Sequence, residues 1–192
     1  MISVIIVSYN TKDLTLACLQ SVFEQTRQIS FEVLAIDNNS ADGSPEAISE
    51  VFPQVKLLRQ DENLGFAAAN NLAAQAAIGD YLLFLNPDTL ILDGAIDKLI
   101  DFAETCKGGH IWGGRTLKGD GTLDKASCWG KSTPWSIFCY SSGLLSLFRN
   151  SLSFNPEAYG DWQRDTVREV DIVSGSFLLI KKTLWDRLGG FD

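Results

Sequence analysis

The chain has 192 residues, enough for one domain, or one domain with an insertion, and for a real buried core. Apolar residues make up 45% and charged residues 21%, as in an ordinary globular protein, and the net charge of −8 argues against a nucleic-acid binder, whose footprint is basic. The acidity does not exclude a site for phosphates, because a bound cation can supply positive charge there.

In chain order, residues 2–7 are a β-branched run that predicts a buried strand. The start has no basic region and no cleavage site, so it does not read as a signal peptide, and no apolar run reaches transmembrane length. Thr11 or Asn10 is placed to cap a helix carrying Leu14, Ala17, Cys18, Ser21 and Val22 at helical spacing. Residues 31–36 predict a second strand, ending in the turn-rich Asp37-Asn38-Asn39-Ser40-Ala41-Asp42-Gly43-Ser44. Ser44 as cap and Pro45 in the first turn predict a helix to about Val51, and residues 55–58 a third strand. The loop Asp61-Glu62-Asn63-Leu64-Gly65-Phe66 leads to an alanine-rich helix over 67–78, stopped by Gly79. Residues 81–85 are five apolar side chains running into Asn86-Pro87-Asp88, the pattern of a buried parallel strand and its turn. Strands alternating with helices predict an α/β fold, a mostly parallel sheet with right-handed crossovers.

Beyond Asp88 a helix is expected over 92–106, capped by Asp93, then a short strand over 110–115 and a tight turn at Asp120-Gly121. Residues 127–165 have no clear period, yet they hold Trp129, Trp135 and Trp162 and the apolar Phe138, Leu144, Leu145, Leu147 and Phe148. One or two strands follow over 167–179, broken at Ser174-Gly175-Ser176. Lys181-Lys182-Thr183 is then expected to cap a helix over 184–188. The four cysteines form no C-x-x-C pair and His110 is the only histidine, which argues against zinc; their spacing is not a secreted disulfide framework, so a reducing cytoplasm is expected.

The turn after the first strand, Ser8-Tyr9-Asn10, has no glycine, so the dinucleotide fingerprint is absent, as is a phosphate loop closing in Gly-Lys-Ser/Thr. A doubly wound sheet must then hold a ligand by other means, at the carboxyl ends of its strands. Asp37 ends the second strand, where a carboxylate can accept hydrogen bonds from a ribose or base edge; serving turn backbone is the alternative. Asn63 and Gly65 precede a helix whose N-terminus suits phosphate, or they are simply a loop and a cap. Asp88 sits past the fourth strand, where one carboxylate together with a diphosphate suffices to hold Mg²⁺ or Mn²⁺; a plain turn is the alternative.

Taken together, Ser-Tyr-Asn, Asp-Asn-Asn-Ser, Asn-Leu-Gly-Phe and Asn-Pro-Asp occur in this order at strand ends. In this the chain resembles the family 2 inverting glycosyltransferases of GT-A fold, of the bacterial rhamnosyltransferase-like kind. The resemblance is closest over residues 1–90 and extends to the late stretch 170–182 and to Leu188-Gly189-Gly190-Phe191-Asp192. It implies a single domain over 1–192, with a Rossmann-like nucleotide-sugar-binding half over 1–90 and an acceptor-side half over 91–192. It implies that Ser8, Tyr9, Asn10, Asp37, Asn39, Asn63 and Gly65 surround the nucleotide and that Asp88 holds Mg²⁺ or Mn²⁺. Asn86 stands where the family's Asp-x-Asp motif has its first acid, and Lys181-Lys182 where an Arg-Arg pair is usual.

The implied reaction moves a sugar from a nucleoside-diphosphate donor, deoxythymidine-diphosphate rhamnose by the branch of the family, to a saccharide or lipid-linked acceptor. The family's base lies in a Glu-Asp motif after Gly-Gly-Phe-Asp, so no catalytic base is expected before Asp192 and these residues are expected to bind donor with little transfer. A non-catalytic nucleotide-sugar-binding module and a sugar nucleotidyltransferase stay open as alternatives. For residues 132–150, packing on the sheet and contact with a membrane surface or a lipid-linked acceptor are both open; the sparse Lys and Arg favour packing.

Overall fold

The computed structural model describes residues 1–106 and 108–192. They fall into two compact units, Met1–Trp112 with Gly175–Asp192, and Gly113–Ser174. The first begins with β1 (Ile2–Ser8), α1 (Lys12–Gln25), β2 (Phe31–Asp37), α2 (Ser44–Val51) and β3 (Lys56–Arg59). It continues with α3 (Gly65–Ala76), β4 (Tyr81–Leu85), α4 (Ala95–Thr105) and β5 (Ile111–Gly113), whose last residue already belongs to the second unit. The second holds β6 (Thr116–Leu117), β7 (Leu123–Asp124), a 3-10 turn (Lys125–Ser127), β8 (Cys128–Trp129), α5 (Pro134–Ser141), α6 (Leu144–Leu147) and β9 (Ile172–Val173). The chain then returns to the first unit with β10 (Phe177–Lys181) and α7 (Lys182–Leu188).

The main sheet runs β3-β2-β1-β4-β10-β5. Strands β1 to β4 pair in parallel, and β10 lies antiparallel against β4. The apolar runs form central strands because both faces are covered. One face buries Val4, Ile6, Val33, Ala35 and Leu83 with Cys18, Leu19 and Val22 of α1, Ile48 of α2, and Ile96 and Ile100 of α4. Phe84, on the other face, meets Trp185 of α7 with ring centroids 4.5 Å apart. Each fully buried Ile or Leu contributes about 1.5–3 kcal/mol, so this double layer outweighs every loop interaction. The chain steps outward from β1 to β3 and then crosses back to β4 on the far side of β1. The connections that leave β1 and β4 therefore head to opposite sides, which makes a topological switch point between these two strands.

Several element ends differ from the expectation. Gly43, in the left-handed region at φ 78°, is the N-cap of α2; Ser44 is already helical, and its N–H donates to Asp42 Oδ1. Gly94, at φ 66°, replaces Asp93 as the N-cap of α4. Left-handed caps suit glycine, which has no Cβ to clash, and that wins over side-chain capping at both sites. The Asp120-Gly121 turn forms as expected and closes the β6–β7 hairpin. In the second unit, the guanidinium of the buried Arg164 donates to the carbonyls of Trp162, Lys125, Cys128 and Ala158 and lies 4.5 Å from the Trp162 ring. A polar pin of this kind leaves no hydrophobic period, which is why residues 127–165 were opaque as sequence.

Candidate functional site

The sheet register decides which polar residues meet. Ser8 pairs with Asp37 and Ile6 with Leu85, so Ser8, Asp37 and the turn after β4 share the carboxyl rim. Asp37 and Asp88 therefore belong to one edge of the sheet.

The Ser8 side chain is buried and faces inward. Its hydroxyl lies 3.1 Å from Thr11 Oγ1 and 3.0 Å from Thr15 Oγ1, and the two threonines are 3.1 Å apart. Thr11 is the N-cap of α1, yet its hydroxyl joins this cluster instead of capping the helix. Tyr9 and Asn10 are exposed, and Asn10 is left-handed at φ 53°. Asn10 fastens two rim loops together: its N–H donates to Ser40 Oγ (2.9 Å) and its Oδ1 accepts from the Ala41 N–H (2.8 Å). Asp42 adds a parallel tie by accepting from the Lys12 N–H at 2.8 Å. The Ser44 hydroxyl, followed by the backbone donors, holds the Asp42 carboxyl below its usual range.

Asp37 is 2% exposed. Its Oδ2 accepts from the Ser40 N–H at 3.0 Å, whereas Oδ1 is buried without a partner among the described residues. A buried carboxylate oxygen lacking a donor is costly, and a ligand N–H or O–H is the kind of group that removes that cost. Asn39 is exposed and left-handed at φ 67°. Asn38, which the sequence reading passed over, is buried and joins the rim to the next loop: its Oδ1 accepts from the Leu64 N–H and its Nδ2 donates to the Gly65 carbonyl, both at 3.2 Å. Asn63 and Gly65 are exposed, with Asn63 Oδ1 accepting from the Gly65 N–H at 2.9 Å. Gly65, at φ 78°, already begins α3, two residues before the expected start.

At the switch point lies a cavity of about 300 Å³, with walls that include Thr11, Phe66, Asn70, Phe84, Asn86 and Asp88. Of the site residues expected from sequence, Asp88 alone is in this wall. Ser8 reaches it through Thr11, and Gly65 is the neighbour of Phe66. Thr11, Phe66 and Asn70 were missed because helix capping, apolar character and helix position each gave them an ordinary explanation.

The turn that carries Asp88 is fixed through Asn86. The Asn86 N–H donates to the Ser176 carbonyl at 3.1 Å, and its carbonyl accepts from the Thr89 N–H at 3.1 Å and the Cys18 thiol at 3.6 Å. Asp88 itself is exposed and forms no ion pair or hydrogen bond among the described residues. Burial first, and the Asp88 charge second, push the Cys18 thiol up to about 12. No group of three His, Cys, Asp or Glu side chains able to hold a metal occurs among the described residues. One uncommitted carboxylate at a cavity mouth fits a hard cation that takes its other oxygens from water and phosphate, and does not fit a cation that needs an all-protein cage.

The profile of glycosyl transferase family 2 matches residues 3–159. The chain belongs to this family. It is 29% identical over 197 residues to the O-antigen biosynthesis protein RfbC of Myxococcus xanthus, covering 100% of this chain and 14% of that protein. It is 28% identical over 171 residues to the N-acetylglucosaminyl-diphospho-decaprenol L-rhamnosyltransferase of Mycobacterium tuberculosis, covering 83% of this chain and 55% of that enzyme. This family 2 chain thus spans about half or less of the length of these relatives. Among solved structures it resembles the mannosyltransferase PcManGT from Pyrobaculum calidifontis in complex with GDP-Man and Mn²⁺, with TM-score 0.65 and 20% identity over 100% of this chain and 47% of that one. It also resembles S. aureus TarS 1-349 in complex with UDP-GlcNAc, with TM-score 0.59 and 17% identity over 97% of this chain and 47% of that one. These two likenesses establish the GT-A fold.

Proposed function

We propose that the chain forms the donor-binding part of a metal-dependent, inverting glycosyltransferase. It moves a sugar from a nucleoside diphosphate, with deoxythymidine-diphosphate rhamnose the donor that the resemblance to the rhamnosyltransferase-like branch implies, to a hydroxyl of a saccharide or lipid-linked saccharide. The setting is cell-surface polysaccharide or glycolipid synthesis at the cytoplasmic face of the membrane. The observation that carries this reading is that Asp37, with its Oδ1 unpartnered among the described residues, and the uncommitted Asp88 carboxylate lie on one rim of the sheet, Asp88 in the wall of the switch-point cavity.

In this reading Asp37 accepts from the base or ribose, with Asn39 beside it. Ser8, Tyr9 and Asn10 form one wall of the nucleotide pocket, and Asn63 and Gly65 lie near the nucleotide or donor sugar. Asp88 is the chain's ligand to Mg²⁺ or Mn²⁺. When bound, the cation offsets the negative charge that builds on the leaving diphosphate. Asn86, fixed by three backbone-directed bonds, holds the turn so that Asp88 needs no reorganisation on binding. No residue of the chain is assigned as the base.

The test is thermal denaturation with nucleoside diphosphates and their sugars, with and without Mn²⁺. A matching nucleotide at 100 times its Kd stabilises the fold by about 2.7 kcal/mol. Asp88→Asn is expected to remove the Mn²⁺-dependent part of the shift and leave the ligand-free midpoint nearly unchanged. A midpoint indifferent to every nucleotide would sink the reading.

A further inference from the structure

Helix α5 is built inside out. Its two buried residues are Ser136 and Cys139, whereas Trp135, Ile137, Phe138 and Tyr140 are 49%, 59%, 52% and 77% exposed. Leu147 and Phe148 beyond it are also exposed. The rings form one continuous layer: Trp135 stacks on Phe138 at 5.5 Å and meets Phe154 at 6.2 Å, and Phe154 stacks on Phe148 at 4.7 Å. A helix that turns its apolar side chains to water and its small polar ones inward calls for an apolar cover.

Two further features say what that cover is. First, the Trp135 indole and the serine hydroxyls of the helix already have partners. The Trp135 indole N–H donates to the Ser153 carbonyl at 2.6 Å, and the hydroxyls of Ser141 and Ser142 bond the Phe138 carbonyl at 3.2 and 2.7 Å. Ser136 is spent on the capping box and on Glu157. These groups can thus enter an apolar layer already paired, while the hydroxyl of the exposed Tyr140 is the polar tip of an amphipathic side chain that suits the headgroup level. Second, the charge is one-sided. In a chain of net −8, residues 126–156 contain no acidic residue, and their charges are Lys131 and Arg149, both exposed. Two carboxylates that bond this segment from outside it are engaged internally: Glu157 accepts from Ser136, and Asp171 accepts from the Lys131 N–H and the Tyr159 hydroxyl. Exposed aromatic and aliphatic side chains edged by cations match the headgroup boundary of an anionic bilayer.

We propose that α5 and the aromatic layer beside it dock this unit on an anionic lipid surface. The assignment rests on the proposed function in one respect only: such a surface is where a lipid-linked acceptor would be held. Docking itself is measured without a donor.

The experiment is flotation of the chain with vesicles of phosphatidylcholine alone, or with about 30 mol% phosphatidylglycerol. The expected result is binding to the anionic vesicles that weakens as salt rises. Ile137→Asp with Tyr140→Asp, at exposed positions, is expected to lower vesicle affinity at least ~10-fold. Circular dichroism, thermal midpoint and nucleotide binding should stay as in the parent. Lys131→Glu with Arg149→Glu should remove the preference for anionic lipid. Three results would overturn the assignment: no binding to either vesicle, binding unchanged in both double variants, or light scattering that shows a dimer taken apart by Ile137→Asp with Tyr140→Asp, which would make a second copy the cover. Vesicle binding of the expected pattern by a chain indifferent to nucleoside diphosphates would support the lipid surface and sink the donor reading alone.

Discussion

Asp37 and Asp88 are both carboxylates at strand ends, but burial gives them different work. Asp37 is enclosed with one oxygen lacking a donor, so it suits a directional bond to a ligand. Asp88 is exposed and uncommitted, so it suits a hydrated cation. Asp37→Asn keeps the shape and removes the charge; it is expected to weaken nucleoside-diphosphate binding by roughly 10- to 100-fold, the scale of one charge-assisted hydrogen bond. Calorimetric titration giving equal affinities for the two proteins would refute that role. Cys18 gives a separate prediction. Its thiol loses a proton near 9 when unfolded and near about 12 when folded, so the unfolded state binds fewer protons between these values. Stability should therefore fall as pH rises through this window, and Cys18→Ala should flatten the decline in an alkaline melting series.

Among the elements, the loops that build the rim are tied to one another and to the first residues of α1 and α3. Asn10, Asp42 and Asn38 each reach across to a separate segment through backbone groups, which makes the rim a preformed surface. The start of β4 depends on a different constraint. A Cβ at Gly79 would lie 2.6 Å from the Ser3 backbone nitrogen, and the Gly79 N–H donates to Ser3 Oγ at 2.8 Å. Gly79→Ala is therefore expected to cost about 1–3 kcal/mol in urea denaturation, because backbone rather than a flexible side-chain end must move. At the other end of the first unit, Asn71 takes both backbone groups of Phe191: Nδ2 donates to its carbonyl at 2.8 Å, and Oδ1 accepts from its N–H at 2.9 Å. Phe191 then packs on Phe66 and Phe84, two walls of the cavity. Gly190, at φ 95°, leaves only 2.5 Å between an added Cβ and Asn71 Oδ1, so Gly190→Ala should loosen this contact and raise the Kd for donor with little change in far-UV circular dichroism.

At the scale of the whole molecule, the legible part was the part governed by short-range pattern. The strands β1, β2 and β4 announced themselves as apolar runs, because a strand covered on both faces has no polar side to hide it. Strand-end motifs placed Asp37 and Asp88 on one rim for the same reason, since parallel strands put all their carboxyl ends together. The residues between 127 and 165 were not legible. There the fold rests on Arg164 and its four carbonyls and on the Thr133–Ser136 capping box, none of which has a period. Removing divalent cations with a chelator should leave the melting of the ligand-free chain unaltered, because no cluster of metal-ligating side chains holds the fold together among the described residues. The same treatment should abolish cation-dependent donor stabilisation in a thermal-shift assay.

The amino-acid order by itself determined the α/β alternation, the mostly parallel sheet and the set of polar turns that make this a family 2 glycosyltransferase chain. Those features follow from hydrophobic period and turn chemistry, which act over a few residues. Only the tertiary structure decided that Asp37 Oδ1 lacks a donor, that Asn38 ties the rim to α3, that Thr11 and Phe66 line the cavity, and that α5 shows its aromatic side to water. Burial and partnership are properties of distant segments meeting, and no local pattern carries them.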